Sequence, residues 1–249
     1  MLARFFSKES TKARRAVSKL NVKAIALDAV GTVMYPQPPV AELYHAIGQQ
    51  FGSQLSVDVI RERFYAAIAA AYDHQGDPAA LKTDEPRERA RWRKIVACVL
   101  DDVDDADGCF ETLHREFGAA SHWACFPDVA PTVQAIARTG LPFAVASNFD
   151  RRLHAVCDGH PELTAIPLRV VSTEVGFSKP AAEFYRALAN AFHLEPADVL
   201  LVGDGFVNDY QAAVDAGVPA LWLDRTQENS GSHVVHSLTE ILTRIEVSG

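Results

Sequence analysis

At 249 residues and 48% hydrophobic side chains, the chain is long enough for one large domain or a core carrying an inserted module. A net charge of −8 excludes ordinary nucleic-acid binding, which draws on clustered Lys and Arg. No run of ~18 apolar residues is available to span a bilayer, and no apolar stretch has the form of a secretory signal.

Residues 1–20 hold six Lys/Arg and one Glu, which leaves about −13 on the remainder. This stretch reads as a solvated basic tail, with an organelle-targeting presequence as the alternative. Residues 22–27 are short, apolar and bounded, as a buried parallel strand should be. Pro36, Pro38 and Pro39 then make a stiff, non-helical linker. Four helices are expected at 42–50, 57–72, 87–100 and 109–117, with almost no strand signal among them. Beyond residue 126 the pattern alternates. Helices at 128–137, 151–157, 181–192, 209–216 and 238–245 are interleaved with strands at 143–146, 168–171, 199–202 and 220–223. Such alternation implies a parallel sheet wrapped on both faces. The expected fold is therefore α/β, a doubly wound, Rossmann-like parallel-sheet core (21–35 and 126–249) with an inserted four-helix cap (36–125).

In an open parallel sheet, ligands bind beyond the carboxyl ends of the strands. Asp28, Ser147 and Asp204 each fall just past such an end. Asp28 is a candidate carboxylate nucleophile. Gly31 and Thr32 suit a tight turn with N–H groups turned toward an anion. Ser147 and Asn148 are further donors, and Lys179 is placed to hold substrate charge and nucleophile in register. Asp204 and Asp209 are hard oxygen ligands suited to Mg²⁺. Three carboxylates against one lysine leave about −2 in one cleft, which a divalent cation would relieve.

These segments resemble the haloacid dehalogenase-like (HAD) hydrolase superfamily. Its motifs are similar to Asp28 followed by Thr32, to Ser147 at a strand end, to Lys179-Pro180, and to the run from Gly203-Asp204 to Asn208-Asp209. The resemblance covers roughly 22–34 and 126–225. Ser147-Asn148-Phe149-Asp150-Arg151-Arg152 is similar to a subgroup that also lacks the second Asp of the first motif. The resemblance implies an aspartyl-phosphate mechanism with Asp28 as nucleophile, Mg²⁺ as cofactor, and a small phosphorylated substrate. It also implies that the Val30 backbone carbonyl joins Asp28, Asp204 and Asp209 around the metal. Nucleic acid and membrane are not expected partners, and the sequence does not specify an oligomeric state.

Val30 stands where the family's phosphatases carry an acid/base Asp, and valine cannot move a proton. Loss of such a group typically costs 10²–10⁴ in rate. Several readings follow from this. The substrate has a good leaving group, or a cap residue (Asp73, His74 or His122) donates the proton. The reaction is a dehalogenation, in which halide needs no acid, or a phosphonate cleavage with Lys82 or Lys94 as a Schiff base. Last, the chain is a weakly catalytic protein that binds a phosphorylated ligand. Metal-dependent phosphate hydrolysis ranks first, the binding protein second and dehalogenation third.

Other features have plainer readings. The acid-rich 101–107 segment fails the calcium-loop spacing and reads as a solvated loop. His233 and His236 do not make a metal site by spacing alone. Of Arg87, Arg89, Arg91 and Arg93, most are expected to be solvated, with one candidate to reach the cleft. Phe149 and Phe206 are candidates to line it, with core packing the equal alternative. Cys98, Cys109, Cys125 and Cys157 form no C-x-x-C pair, so a reduced, cytoplasmic setting is expected.

Overall fold

The computed structural model describes residues 19–73 and 77–246. The basic segment up to residue 18, and His74, lie outside them. The strands are β1 Leu20–Asn21, β2 Ala24–Leu27, β3 Met34–Pro36, β4 Trp123–Cys125, β5 Phe143–Ser147, β6 Leu168–Val171, β7 Val199–Gly203, β8 Ala220–Leu223, β9 Val234–Val235 and β10 Ile245–Glu246. The helices are α1 Val40–Gln50, α2 Val57–Ala71, α3 Glu85–Val99, α4 Ala106–Glu116, α5 Val129–Thr139, α6 Arg152–Asp158, α7 Pro161–Thr164, α8 Ser172–Val175, α9 Ala182–Ala191, α10 Ala212–Asp215 and α11 Ile241–Arg244.

Six strands form one parallel sheet in the order β6-β5-β2-β7-β8-β9. Numbered within this sheet alone, that is 3-2-1-4-5-6, the doubly wound order whose crevice lies where the winding reverses. The reversal falls between β2 and β7, so Asp28 and Asp204 emerge side by side at its carboxyl edge. Alternation of side chains gives each strand two buried faces. Ile25 and Leu27 join one core with Val145, Leu200 and Val202. Ala24 and Ala26 join the opposite core with Phe184, Leu188 and Leu201.

The helices α1–α4 share a separate apolar core around Tyr44, Ile47, Ile60, Ile95, Val99 and Phe110. The starts of α2, α3 and α4 are set by side-chain caps: Ser56 accepts from the Val59 N–H, Asp84 from Arg87 and Asp105 from Gly108.

Several local expectations are corrected. Pro36 is not in a bare linker. It ends β3, which pairs antiparallel with β4 in a two-stranded ribbon, Met34 opposite Cys125 and Pro36 opposite Trp123. Pro tolerates this because such a strand is an edge. The strand expected at 22–27 is shorter, Ala24–Leu27, and is preceded by a separate two-residue strand in which Leu20 and Asn21 pair with Ile245 and Glu246. The helix expected at 209–216 begins earlier, as a π-helical turn over Phe206–Gln211 that leads into α10. The acidic 101–107 segment is largely solvated as expected, with Asp101 pairing to Arg63, Asp107 to Arg93 and Asp102 accepting the Gln54 N–H at its surface. His233 stacks on Tyr210, and His236 Nδ1 meets the Asp224 carbonyl, so both histidines act in packing. No helix among the described residues is long and apolar enough to cross a membrane.

Candidate active site

The four sequence segments converge. Lys179 Nζ, 2% exposed, donates to Asp28 Oδ1 at 2.6 Å, to Asp209 Oδ1 at 2.5 Å and to the Ala146 carbonyl at 3.1 Å. Asp28, Asp204 and Asp209 each bring one carboxylate oxygen within 4.8 Å of the others. Residues 28, 179 and 209 are thus held by one ammonium at the edge where the sheet reverses.

Backbone geometry permits this crowding at two glycines. Gly31 has φ +87°, and a Cβ there would lie 2.2 Å from Asp204 Oδ2. At Gly203 a Cβ would lie 2.3 Å from Asp209 Cγ. The π turn winds Asp209 back so that its second oxygen accepts the Gly205 N–H at 2.9 Å. Trp222 Nε1 fixes the Asp204 carbonyl at 2.9 Å.

Electrostatics follow from burial and crowding. Burial raises the Asp28 carboxyl to about 7; the Asp209 and Asp204 charges add to this and Lys179 opposes it. Asp204 is raised for the same reasons, burial first and Asp209 next. Burial alone would depress the Lys179 ammonium, but the Asp209 and Asp28 carboxylates outweigh it and hold it above its usual range. A cluster that raises its own carboxyl groups is short of positive charge. Three hard oxygen donors at this spacing fit a Mg²⁺-type cation.

Several expected roles change. The Gly31 N–H donates to the Met34 carbonyl at 2.8 Å and the Thr32 N–H to the Ala29 carbonyl at 3.3 Å, so neither turns toward an anion. The Thr32 hydroxyl serves Asp204 instead, donating to Oδ1 at 3.1 Å and accepting its N–H at 3.0 Å. Asn148 is spent on Lys179: its Nδ2 donates to the Lys179 carbonyl at 2.9 Å and its Oδ1 accepts the Lys179 N–H at 2.7 Å. Ser147, at the end of β5, is buried beside it. Val30 bridges to Met34 through the Ala29 carbonyl and the Gly31 N–H, so its own carbonyl takes no part in that pairing.

An apolar cavity of about 310 Å³ lies between this edge and helices α1–α4, lined by Val30 and Asn148 on one side and Phe64 and Trp92 on the other. Phe149 lines it as well, whereas Phe206 packs on Trp222 and Tyr210 instead. Neither Asp73 nor His122 lines the cavity; His122 pairs with Glu116. Lys82 and Lys94 border a separate groove between α2 and α3, which removes them as Schiff-base candidates for this site. Arg87, Arg89, Arg91 and Arg93 pair with Asp84, Glu111, Glu88 and Asp107, and none of them lines the cavity.

The guanidinium that does line it was missed. Arg152 grips Asp150 through Nε at 2.8 Å and Nη2 at 2.7 Å, and donates from Nη1 to the His114 carbonyl of α4 at 2.5 Å. Arg225 was missed too. It donates to the Thr32 carbonyl at 2.6 Å and the Gly31 carbonyl at 3.3 Å while pairing with Asp128. Its place just past the end of β8 was the signal available. Cys125, His160 and Glu162 also gather within 4.8 Å, a proximity their spacing did not suggest.

The comparisons agree with this geometry. A family model described as haloacid dehalogenase-like hydrolase matches residues 22–217. Haloacid dehalogenase-like hydrolase domain-containing protein 3 of Danio rerio is 25% identical over 239 residues, covering 92% of this chain and 98% of that protein. A structure of the HAD-fold protein YfnB from Bacillus subtilis, bound to magnesium, superposes with a TM-score of 0.73 at 12% identity, covering 90% of this chain and 98% of that one. A HAD phosphatase from Thermococcus onnurineus gives a TM-score of 0.64 at 20% identity, covering 90% and 99%. With Asp28, the buried Lys179 and the paired acids Asp204 and Asp209 at the reversal of a doubly wound sheet, this chain belongs to the haloacid dehalogenase-like hydrolase family.

Proposed function

We propose that this chain is a metal-dependent phosphohydrolase in which Asp28 accepts the phosphoryl group of a small phosphorylated metabolite and water then releases it. The observation that carries the reading is the bridge from Lys179 Nζ to Asp28 and Asp209, with Asp204 completing the oxygen cluster. Asp28, Asp204 and Asp209, with the Val30 carbonyl beside them, would hold Mg²⁺, which supplies charge neutralisation and polarises a phosphoryl oxygen when bound. Magnesium in the YfnB structure and phosphatase activity in the name of the Thermococcus protein support the same reading by likeness.

The residues divide the work. Lys179 keeps one Asp28 oxygen oriented and offsets the negative charge that gathers at the phosphorus. Thr32 and Trp222 fix Asp204 at the rim, and Arg225 holds the Gly31 and Thr32 carbonyls so that the loop after β2 stays wound. The helices α1–α4 close over the cavity and exclude water while the phosphoryl group moves.

Acetyl phosphate and p-nitrophenyl phosphate hydrolysis with Mg²⁺, repeated on Asp28→Asn, tests the assignment. Turnover that disappears in the variant and in EDTA supports it; turnover that survives Asp28→Asn rejects it. Val30 favours a second reading, dehalogenation, because halide leaves without a proton. Chloride release from 2-chloropropionate in EDTA would put that reading first. Ligand-induced thermal stabilisation with no turnover of any substrate would favour a binding protein.

A further inference from the structure

The wall of the cavity is aromatic where it faces away from the carboxylates. Phe64 lies edge-on to Tyr44 with ring centroids 5.4 Å apart, Phe117 to Trp123 at 6.2 Å, and Trp123 to Phe149 at 5.8 Å. Trp92 completes the lining from α3. Such edge-to-face sets present both ring faces and ring edges, the surfaces that another aromatic ring packs against best.

Its charged lining is already paired. Asn148 serves the Lys179 backbone and Asp150 is neutralised by Arg152. Burial and the neighbouring Arg152 hold the His114 imidazole down to about 4, so it is neutral near pH 7. Arg152 itself is shared between Asp150 and the His114 carbonyl. A ligand carboxylate, ammonium or second phosphate would find no uncommitted charge here, and the polar groups left over are the Tyr44 and Tyr65 hydroxyls and the Trp92 indole N–H, each carried on an aromatic ring.

Size narrows the choice further. An apolar cavity of about 150 Å³ admits one benzene. The 310 Å³ here suits two fused rings or one ring with a short branch, at the small end of the ~300–1,000 Å³ range of small-molecule sites.

Val30, 38% exposed, forms the join between this cavity and the carboxylate cluster, where a leaving oxygen would sit. With no proton donor at that position, the leaving group must depart as a stable anion. A phenol ionises near ~10, whereas an alcohol resembles water at about 15.7. A phenolate therefore leaves far more readily than an alkoxide.

We propose, resting on the phosphohydrolase reading above, that the substrate is an aryl phosphate whose ring system lodges in the aromatic cavity against Val30. An Asp28 oxygen forms a bond to phosphorus as the phosphorus–oxygen bond to the ring breaks, and that electron pair leaves on the phenolate oxygen. The phenolate takes a proton from solvent. Water then attacks the phosphorus of the aspartyl phosphate, its proton passes to solvent, and phosphate leaves with the Asp28 carboxylate restored. The net reaction is aryl phosphate plus water to phenol plus phosphate.

The test uses the full chain with Mg²⁺ and separates binding from turnover. Calorimetry compares 1-naphthylphosphonate with methylphosphonate, neither of which can be hydrolysed. The expected result is at least tenfold tighter binding of the naphthyl compound, with that preference cut at least fivefold in Trp92→Ala and in Phe64→Ala. Steady-state assays run beside it should give a lower KM for 1-naphthyl phosphate than for glucose 6-phosphate. Equal affinity for the two phosphonates in the wild-type chain overturns the proposal, whether or not the variants fold. A preference unchanged in both folded variants also overturns it. If the phosphonates bind equally while acetyl phosphate is hydrolysed through Asp28, the substrate class fails and the phosphohydrolase reading stands. If the naphthyl preference holds but nothing is hydrolysed, the phosphohydrolase reading fails and the proposal, which rests on it, falls with it, leaving the cavity as a binding site for the ring.

Discussion

Asn148 grips both backbone polar groups of Lys179, taking its N–H at 2.7 Å and giving to its carbonyl at 2.9 Å across a sequence separation of 31. The strand end at β5 therefore positions the lysine that bonds Asp28. Asn148→Ala leaves two backbone groups in want of partners, each costing about 1–3 kcal/mol if water cannot reach it. The expected outcome is a kcat at least tenfold lower with KM changed less than threefold, because Asn148 acts through Lys179. Steady-state kinetics on p-nitrophenyl phosphate measure the split.

Removing Lys179 strands two carboxylates. Lys179→Met keeps the volume of the side chain but leaves Asp28 and Asp209 desolvated beside one another. Breaking a buried ion pair at one end costs about 3–5 kcal/mol. Urea unfolding at pH 7.5 should report a loss of that order, and Mg²⁺ should recover part of it.

Val30→Asp introduces the missing proton donor. The position is exposed enough that the new carboxylate keeps water on one side, so the fold should tolerate it. Rates on alkyl phosphates should rise by about 10²–10⁴, the usual worth of a general acid. Aryl phosphates, whose leaving group needs little help, should gain less than tenfold. Equal gains on both would count against Val30 as the residue that limits poor leaving groups.

The His114 ring supplies a pH signature away from the carboxylates. Burial and Arg152, with Arg89 adding, lower its folded value to about 4 from an ordinary 6.5, while Asp150 and Glu111 oppose the shift. A depressed folded value means that the unfolded chain binds the proton more readily as pH falls. His114 thus contributes stability that is complete above about 6.5 and is lost as pH drops toward 4. Melting temperatures between pH 7 and 4.5 should fall more steeply for the wild type than for His114→Gln, and parallel curves would contradict the assignment.

Much of this protein was legible in the residue order. The apolar strands at 143–146, 199–202 and 220–223 are short, bounded and buried on both faces, so periodicity located them. Asp28 and Asp204 stand out because each follows an apolar strand, whereas Lys179 and Asp209 were placed by their likeness to the family's Lys-Pro and final acidic motifs. Set against the same family motifs, Val30 marks the place of a missing acid. What the sequence could not determine was the use of hydrogen bonds. Thr32 and Asn148 carry groups able to meet an anion, yet both are spent on protein partners 172 and 31 residues away. Local sequence lists donors, while only packing decides which acceptor each one reaches first. The same holds for Arg152 and for the aromatic lining: those side chains come from α1 to α4, from β4, from the loop after β5 and from α6, and only the closure of helices on the sheet edge makes them one surface.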